Sequence, residues 1–326
     1  MRKTLFMTAL IACNVVPRAG AQQASALDAG RKLFAAGRFA EASQVLSPIG
    51  PGDGEAALLL SRIAYAARDA GGAVNWGQKA VELFPDSAIA HVWLGRAYLL
   101  ELESASFLRA GSLADRARAE YDRAIQLDPR SYDAYDSRAR YYLNAPRIGG
   151  GSIDKARTDA AAARAINPYR GDLLLTDIDT KDDHPDRVEA RLLELSKAYP
   201  DSSTPFNRLA NMYQKTARFA DAFALIDARL AGLPRDLSAQ YQLGKTAALS
   251  GEQLDRGEAA LHAYIGGDSF ALGSEAHAHW RLGMILERRK DIKGALVEYQ
   301  AAVRLDPAIA EAKAGVERTS SQQREP

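Results

Sequence analysis

The chain has 326 residues, 47% of them hydrophobic and 25% charged, with a formal net charge of +1. That composition is ordinary for a folded soluble chain, and so even a charge balance lacks the basic footprint of a general nucleic-acid binder. With Cys13 as the single cysteine, an intramolecular disulfide framework and multi-cysteine metal sites are excluded.

The first element reads as an export signal. Arg2 and Lys3 precede an apolar run from Leu5 to Val16, and Ala19-Gly20-Ala21 supplies the small residues a signal peptidase needs. Residues 1–21 are therefore expected to be a signal peptide cut after Ala21. Cleavage removes Arg2, Lys3 and Arg18, lowering the 42 Lys and Arg to 39 against 41 Asp and Glu, a net charge of −2. Leu10-Ile11-Ala12-Cys13 also has the form of a lipobox, in which Cys13 would be lipidated and hold the chain at the membrane. The very early place of Cys13, and the apolar run continuing through Val15 and Val16, speak against it. No later apolar run approaches the ~18 residues of a membrane span.

A helix-turn-helix pattern then recurs. "LDAGRKLFAAGRFAEASQVL" supplies Gly30, Leu33, Gly37 and Ala42, and the next unit Ala73, Ala80 and Pro85. Leu94, Gly95 and Tyr98 open a third unit, which closes after an insertion at Tyr121, Ala124 and Pro129. A fourth carries Tyr135, Ala139, Tyr142, Ala156, Ala160, Ala163 and Pro168, and the stretch from Tyr169 to Pro200 is degenerate. Phe206, Leu209, Ala210, Tyr213, Ala222 and Pro234 follow, then a looser unit with Leu243, Gly244, Gly257, Leu261 and Tyr264. The clearest unit comes last, with Leu282, Gly283, Leu286, Ala295, Tyr299, Ala302 and Pro307. Small residues at fixed points let two helices approach, larger ones fill the space between, and proline ends the second helix.

This order of small, aromatic and proline positions resembles the tetratricopeptide repeat over roughly residues 23–307. The resemblance implies an all-α, right-handed superhelical solenoid of about eight helix pairs whose stacking builds one continuous core. Units are expected near 23–50, 54–87, 88–131, 132–168, 169–202, 203–236, 237–270 and 276–307, with a capping helix over 308–317 and a flexible tail over 318–326. The basic n-region and this repeat style point to a bacterial envelope, hence the periplasm, or the outer membrane if Cys13 is lipidated.

Candidate chemistry is sparse. "NAPRIGGGS" lacks the preceding strand and the Gly-Lys-Ser/Thr of a phosphate loop, and reads as a lengthened turn with Ser152 capping the next helix. Asp177–Asp186 is acidic, but Lys181 stands at the fifth place of a calcium loop, no glycine at the sixth, and Val188 where a glutamate should be. A solvated loop is expected there. His277 and His279 are two apart and face different ways, unlike a zinc pair; His91 and His279 fit partly buried packing roles. No catalytic residue, metal site or cofactor is expected.

The resemblance places groove-facing side chains on the first helix of each unit. One such position reads Arg31, Arg62, Arg96 and Arg140 in four successive units, then Asp177, Asn211, Lys245 and Met284. Guanidinium forks suit carboxylates, so the four arginines form either a ladder for an acidic segment or C-terminal carboxylate, or a plain hydrophilic face in which Asp136 pairs with Arg140. Further on, Asn207, Asn211, Lys215 and Lys245 are reminiscent of a carboxylate clamp, though incompletely, and Tyr241 and Trp280 are expected to be exposed anchors. The function so implied is a non-catalytic scaffold binding a protein or peptide, with no nucleic acid. An RNA-binding repeat is disfavoured by the charge and the signal; an enzyme with its site in the 102–118 insertion or the 177–186 loop is the rival.

Overall fold

The computed structural model describes residues 16–267 and 275–323, with side chains from Ala21 onward. Cys13 and the rest of residues 1–15 lie outside them, so the expected signal peptide is represented only by Val16–Ala21, the start of the first helix. The described residues hold seventeen α-helices and no strand.

The chain divides into two compact units, Met1–Asp183 and His184–Pro326. The first holds α1 (Val16–Ala35), α2 (Phe39–Leu46), α3 (Gly54–Ala66), α4 (Ala70–Leu83), α5 (Ala88–Leu102), α6 (Phe107–Leu127), α7 (Tyr132–Asn144), α8 (Ile153–Ile166) and α9 (Pro168–Lys181). The second holds α10 (Pro185–Ala198), α11 (Ser203–Lys215), α12 (Phe219–Gly232), α13 (Leu237–Ser250), α14 (Leu254–Ile265), α15 (Glu275–Arg288), α16 (Ile292–Leu305) and α17 (Ala310–Gln322). Within each unit, helices pack on the next in sequence, and each odd-numbered helix from α1 to α9 and from α11 to α17 also packs on the next odd one. The first helices of the pairs therefore form a continuous layer in each unit.

The pairing follows from residue size. A β-carbon on Gly95 of α5 would stand 2.5 Å from the Tyr121 ring of α6, and one on Gly283 of α15 would stand 2.7 Å from the Tyr299 ring of α16. Gly30 faces Leu46, and Gly244 faces Leu261, in the same way. On the second helices of the pairs, Ala42, Ala73, Ala117 and Ala156 in one unit and Ala222 and Ala295 in the other are fully buried. Helix starts are fixed by side-chain caps: Asp53 accepts from the Glu55 and Ala56 amides, and Ser87, Ser131, Asp236 and Asp291 cap α5, α7, α13 and α16.

The glycine-rich stretch is a turn. Helix α7 ends at Asn144, Arg147–Gly149 makes one 3-10 turn, and Gly150 takes φ +87°, a conformation that favours glycine. The Tyr141 hydroxyl donates to the Gly149 carbonyl at 2.6 Å, and Ser152 caps α8 through the Lys155 amide.

Two expectations need correction. The acidic stretch from Asp177 is not a solvated loop: it is α9 as far as Lys181, Asp179 is fully buried, and Arg157 reaches it at 2.5 Å and Asp182 at 2.7 Å. The tail expected from residue 318 is still helix through Gln322; Arg318 makes a two-point contact to Glu287, and Thr319 is fully buried.

Candidate functional site

The arginines at the shared register position lie on α1, α3, α5 and α7, four successive first helices of one unit, but they are not equivalent. Arg31 is bound in a two-point contact by Glu55, and this hydrogen bond raises its pKa. Arg140 bonds Asp136 at 3.1 Å and Asp177 at 3.2 Å, so the expected pairing within α7 exists and a second helix adds to it. Both ends of the ladder are thus matched by the protein's own carboxylates.

The middle differs. The Arg62 guanidinium lies 4.5 Å from the Phe34 ring centre and 5.0 Å from that of Trp93; the Arg96 guanidinium lies 4.7 Å from the same Trp93 ring. Arg96 donates to the Ser137 hydroxyl at 3.0 Å and reaches Asp133 only at 3.8 Å. The Arg62 Nε is buried with no hydrogen-bond partner. Burial first, and the Arg96 charge second, lower the Arg62 pKa. Two like charges therefore share one indole, and one of them, Arg62, keeps an unmet donor. Half-buried and packed on aromatic rings, these two also hold structure, which a purely solvated arginine would not.

In the second unit the register position is Lys245 on α13. Its Nζ donates to the Asn211 Oδ1 at 2.5 Å, and its pKa falls to about 8, chiefly through burial and then through the charge of Arg281. Arg281 lies over the Trp280 ring at 3.6 Å, and its Nε is buried without a partner. Asn207 is not open for a ligand's carboxylate as a clamp would need: its Oδ1 accepts from Ser238 at 2.8 Å and from Gln242 at 3.0 Å. Gln242 and Thr246 in turn meet the Gln214 amide at 2.9 Å, a buried polar network joining α11 to α13. Lys215 is exposed at the end of α11. Tyr241 and Trp280 are half-buried rather than exposed anchors: Tyr241 packs 5.1 Å from Tyr264, and Trp280 sits edge-on to His277.

Arg281 and Trp93 were not singled out by register reasoning, because each lies at a place between the groove positions and the packing positions. The available signal was local: an arginine directly after Trp280, and a tryptophan three residues before Arg96. His91 and His279 have the expected packing roles, tying a first helix to its second through Glu120 at 2.5 Å and Glu298 at 2.6 Å. Among the described residues, no three His, Cys, Asp or Glu side chains are grouped to hold a metal, and no helix is long and apolar enough to cross a membrane. The 102–118 insertion presents Phe107 and Leu108 to solvent rather than converging polar groups.

No protein-family model and no curated protein matches the sequence. Solved structures do. The class defined by the helix pairs is an all-α repeat solenoid. Its fold is that of tetratricopeptide-repeat proteins. A thermophilic TPR protein from Thermus thermophilus is similar over 58% of this chain and 98% of its own, with 20% identity and a TM-score of 0.51. A tetratricopeptide repeat protein from Parabacteroides merdae is similar over 82% of this chain and 98% of its own, with 14% identity and a TM-score of 0.49.

Proposed function

We propose that the chain is a non-catalytic interaction scaffold that holds a carboxylate-bearing peptide segment of a partner protein on the first-helix layer of the first unit. Arg62 and Arg96 make the anion contacts and Trp93 the apolar one. What carries this reading is the cation pair on a shared indole with an unpartnered buried Nε at Arg62. Like charges held together out of water repel, so an incoming carboxylate relieves a cost already present in the folded protein. Lys245 and Arg281 offer the same chemistry beside Trp280 in the second unit.

A glutamate-rich peptide with a free C-terminus, and its amidated form, are suitable probes. The Arg62→Ala, Arg96→Ala double variant is expected to bind at least ten-fold more weakly, since each charge-assisted bond contributes about 1.5–3 kcal/mol, and wild-type binding is expected to weaken with salt. Loss of the cation–π contacts should also cost about 0.5–1 kcal/mol per arginine, so the melting midpoint must be followed in parallel. Unchanged affinity in a folded variant would move the contact to Lys245 and Arg281.

The same reading places the scaffold in the bacterial envelope, on the strength of the basic n-region, apolar run and Ala19-Gly20-Ala21. The intact mass of protein recovered from the periplasm is expected to correspond to a chain beginning at Gln22. A mass beginning at acylated Cys13 would instead make it a lipoprotein.

A further inference from the structure

The residues that lengthen two repeats beyond the usual period meet on one face of the first unit. Extra residues between α5 and α6 leave Phe107 and Leu108 at the start of α6 with 85% and 89% of their surface exposed. The lengthened turn after α7 carries Ile148, 89% exposed. These are the three most exposed large hydrophobic side chains among the described residues. Between them lies a cleft of about 640 Å³, floored by Leu99, Leu102, Ala114 and Tyr141.

We infer that this cleft docks an amphipathic helix of a partner protein, with the helix's apolar row in the cleft and its acidic side chains against the rim. The site is separate from the arginine pair and does not rest on it. Its shape argues for a protruding occupant: a flat bilayer could touch Phe107, Leu108 and Ile148 but would leave the floor unfilled, whereas a row of apolar side chains at helical spacing fills it. Its charge argues for an acidic flank. No carboxylate lines the cleft. Of the arginines around it, Arg109 is held by Glu101, and Arg140 by Asp136 and Asp177. Arg147, between the cleft residues Pro146 and Ile148, is exposed and makes no ion pair among the described residues; it lines the adjoining hollow rather than the cleft itself. The unpaired charge beside the cleft is therefore positive.

The probe is a fluorescein-labelled helical peptide of four turns, with leucines at i, i+3, i+4 and i+7 and glutamates on the opposite face, titrated against the full chain by fluorescence polarisation. Wild type is expected to bind it, and a Phe107→Ser, Ile148→Ser double variant to bind at least ten-fold more weakly with an unchanged helical melting curve. Replacing the glutamates by lysines should weaken wild-type binding several-fold, and Arg147→Glu should reverse that preference. Normal binding by the Arg62→Ala, Arg96→Ala variant would support a distinct site. No binding by wild type, or equal binding by the Phe107→Ser, Ile148→Ser variant, overturns the proposal. So does sedimentation with phosphatidylserine-containing vesicles that this variant abolishes, which would assign the patch to a bilayer. A dimer in sedimentation velocity that this variant converts to monomer would assign it to a second copy and equally overturn it.

Discussion

An Arg138→Met variant is expected to lose about 3 kcal/mol of stability at neutral pH, measured by urea unfolding. Arg138 on α7 donates two bonds to Asp159 of α8, at 2.8 and 2.7 Å, and a third to Asp122 of α6 at 2.6 Å. The bonds to Asp159 and Asp122 hold the guanidinium pKa well above its ordinary value. Asp159 is only 4% exposed and sits among fully buried Ala156, Ala160 and Ala163. Methionine can replace the stem but not the charge, so a buried carboxylate is left unpaired, a loss of typically 3–5 kcal/mol when the pair is dry. The partly wet Arg138 places the expectation at the lower end. Adding Asp159→Leu removes the stranded charge and should restore most of the stability. A single variant as stable as wild type would show that the three-helix junction is held by packing alone.

Gly95→Leu should be comparably damaging, at roughly 1–3 kcal/mol, for a steric reason. Its β-carbon would lie 2.5 Å from the Tyr121 ring, which is 1% exposed and enclosed by the surrounding core. Either α5 and α6 move apart or Tyr121 leaves its rotamer. Gly111 is the control, because nothing lies within 4 Å of a β-carbon there. Gly111→Ala is expected to stabilise α6 by about 0.5–1 kcal/mol, the ordinary gain of alanine over glycine in a helix. A thermal midpoint that falls for Gly111→Ala, or holds for Gly95→Leu, would contradict this account of helix spacing.

The helix pairs were legible because close packing leaves a mark on residue size: Gly95, Gly244 and Gly283 meet Tyr121, Leu261 and Tyr299 just where small and large positions alternate. Much less of the site could be read. Register alone put Arg31, Arg62, Arg96 and Arg140 on one face, yet their electrostatic worth depends on partners 24 to 37 residues away, such as Glu55 and Asp177, that a single helix pattern cannot weigh. Asp177–Lys181 misled for a related reason. Acidic residues in a row look solvated, but Arg157, on the preceding helix, takes Asp179 into the core. Tyr241 looked exposed because its register faces the groove, whereas its ring is long enough to lean on Tyr264.

Within each unit, the main helix contacts among the described residues are with near neighbours in sequence, the next helix or the one after it. Chain-entropy costs of closing such contacts are small, so folding should be fast and can nucleate at any well-matched pair. For the proposed export this sets up a race. Each helix pair is complete within a few tens of residues of emerging chain, and a pair already zipped is hard to thread through a narrow channel. The leader must therefore win by engaging the export machinery early, while α1 and α2 are still being made, and any variant that speeds local pairing near the N-terminus trades delivery for folding speed.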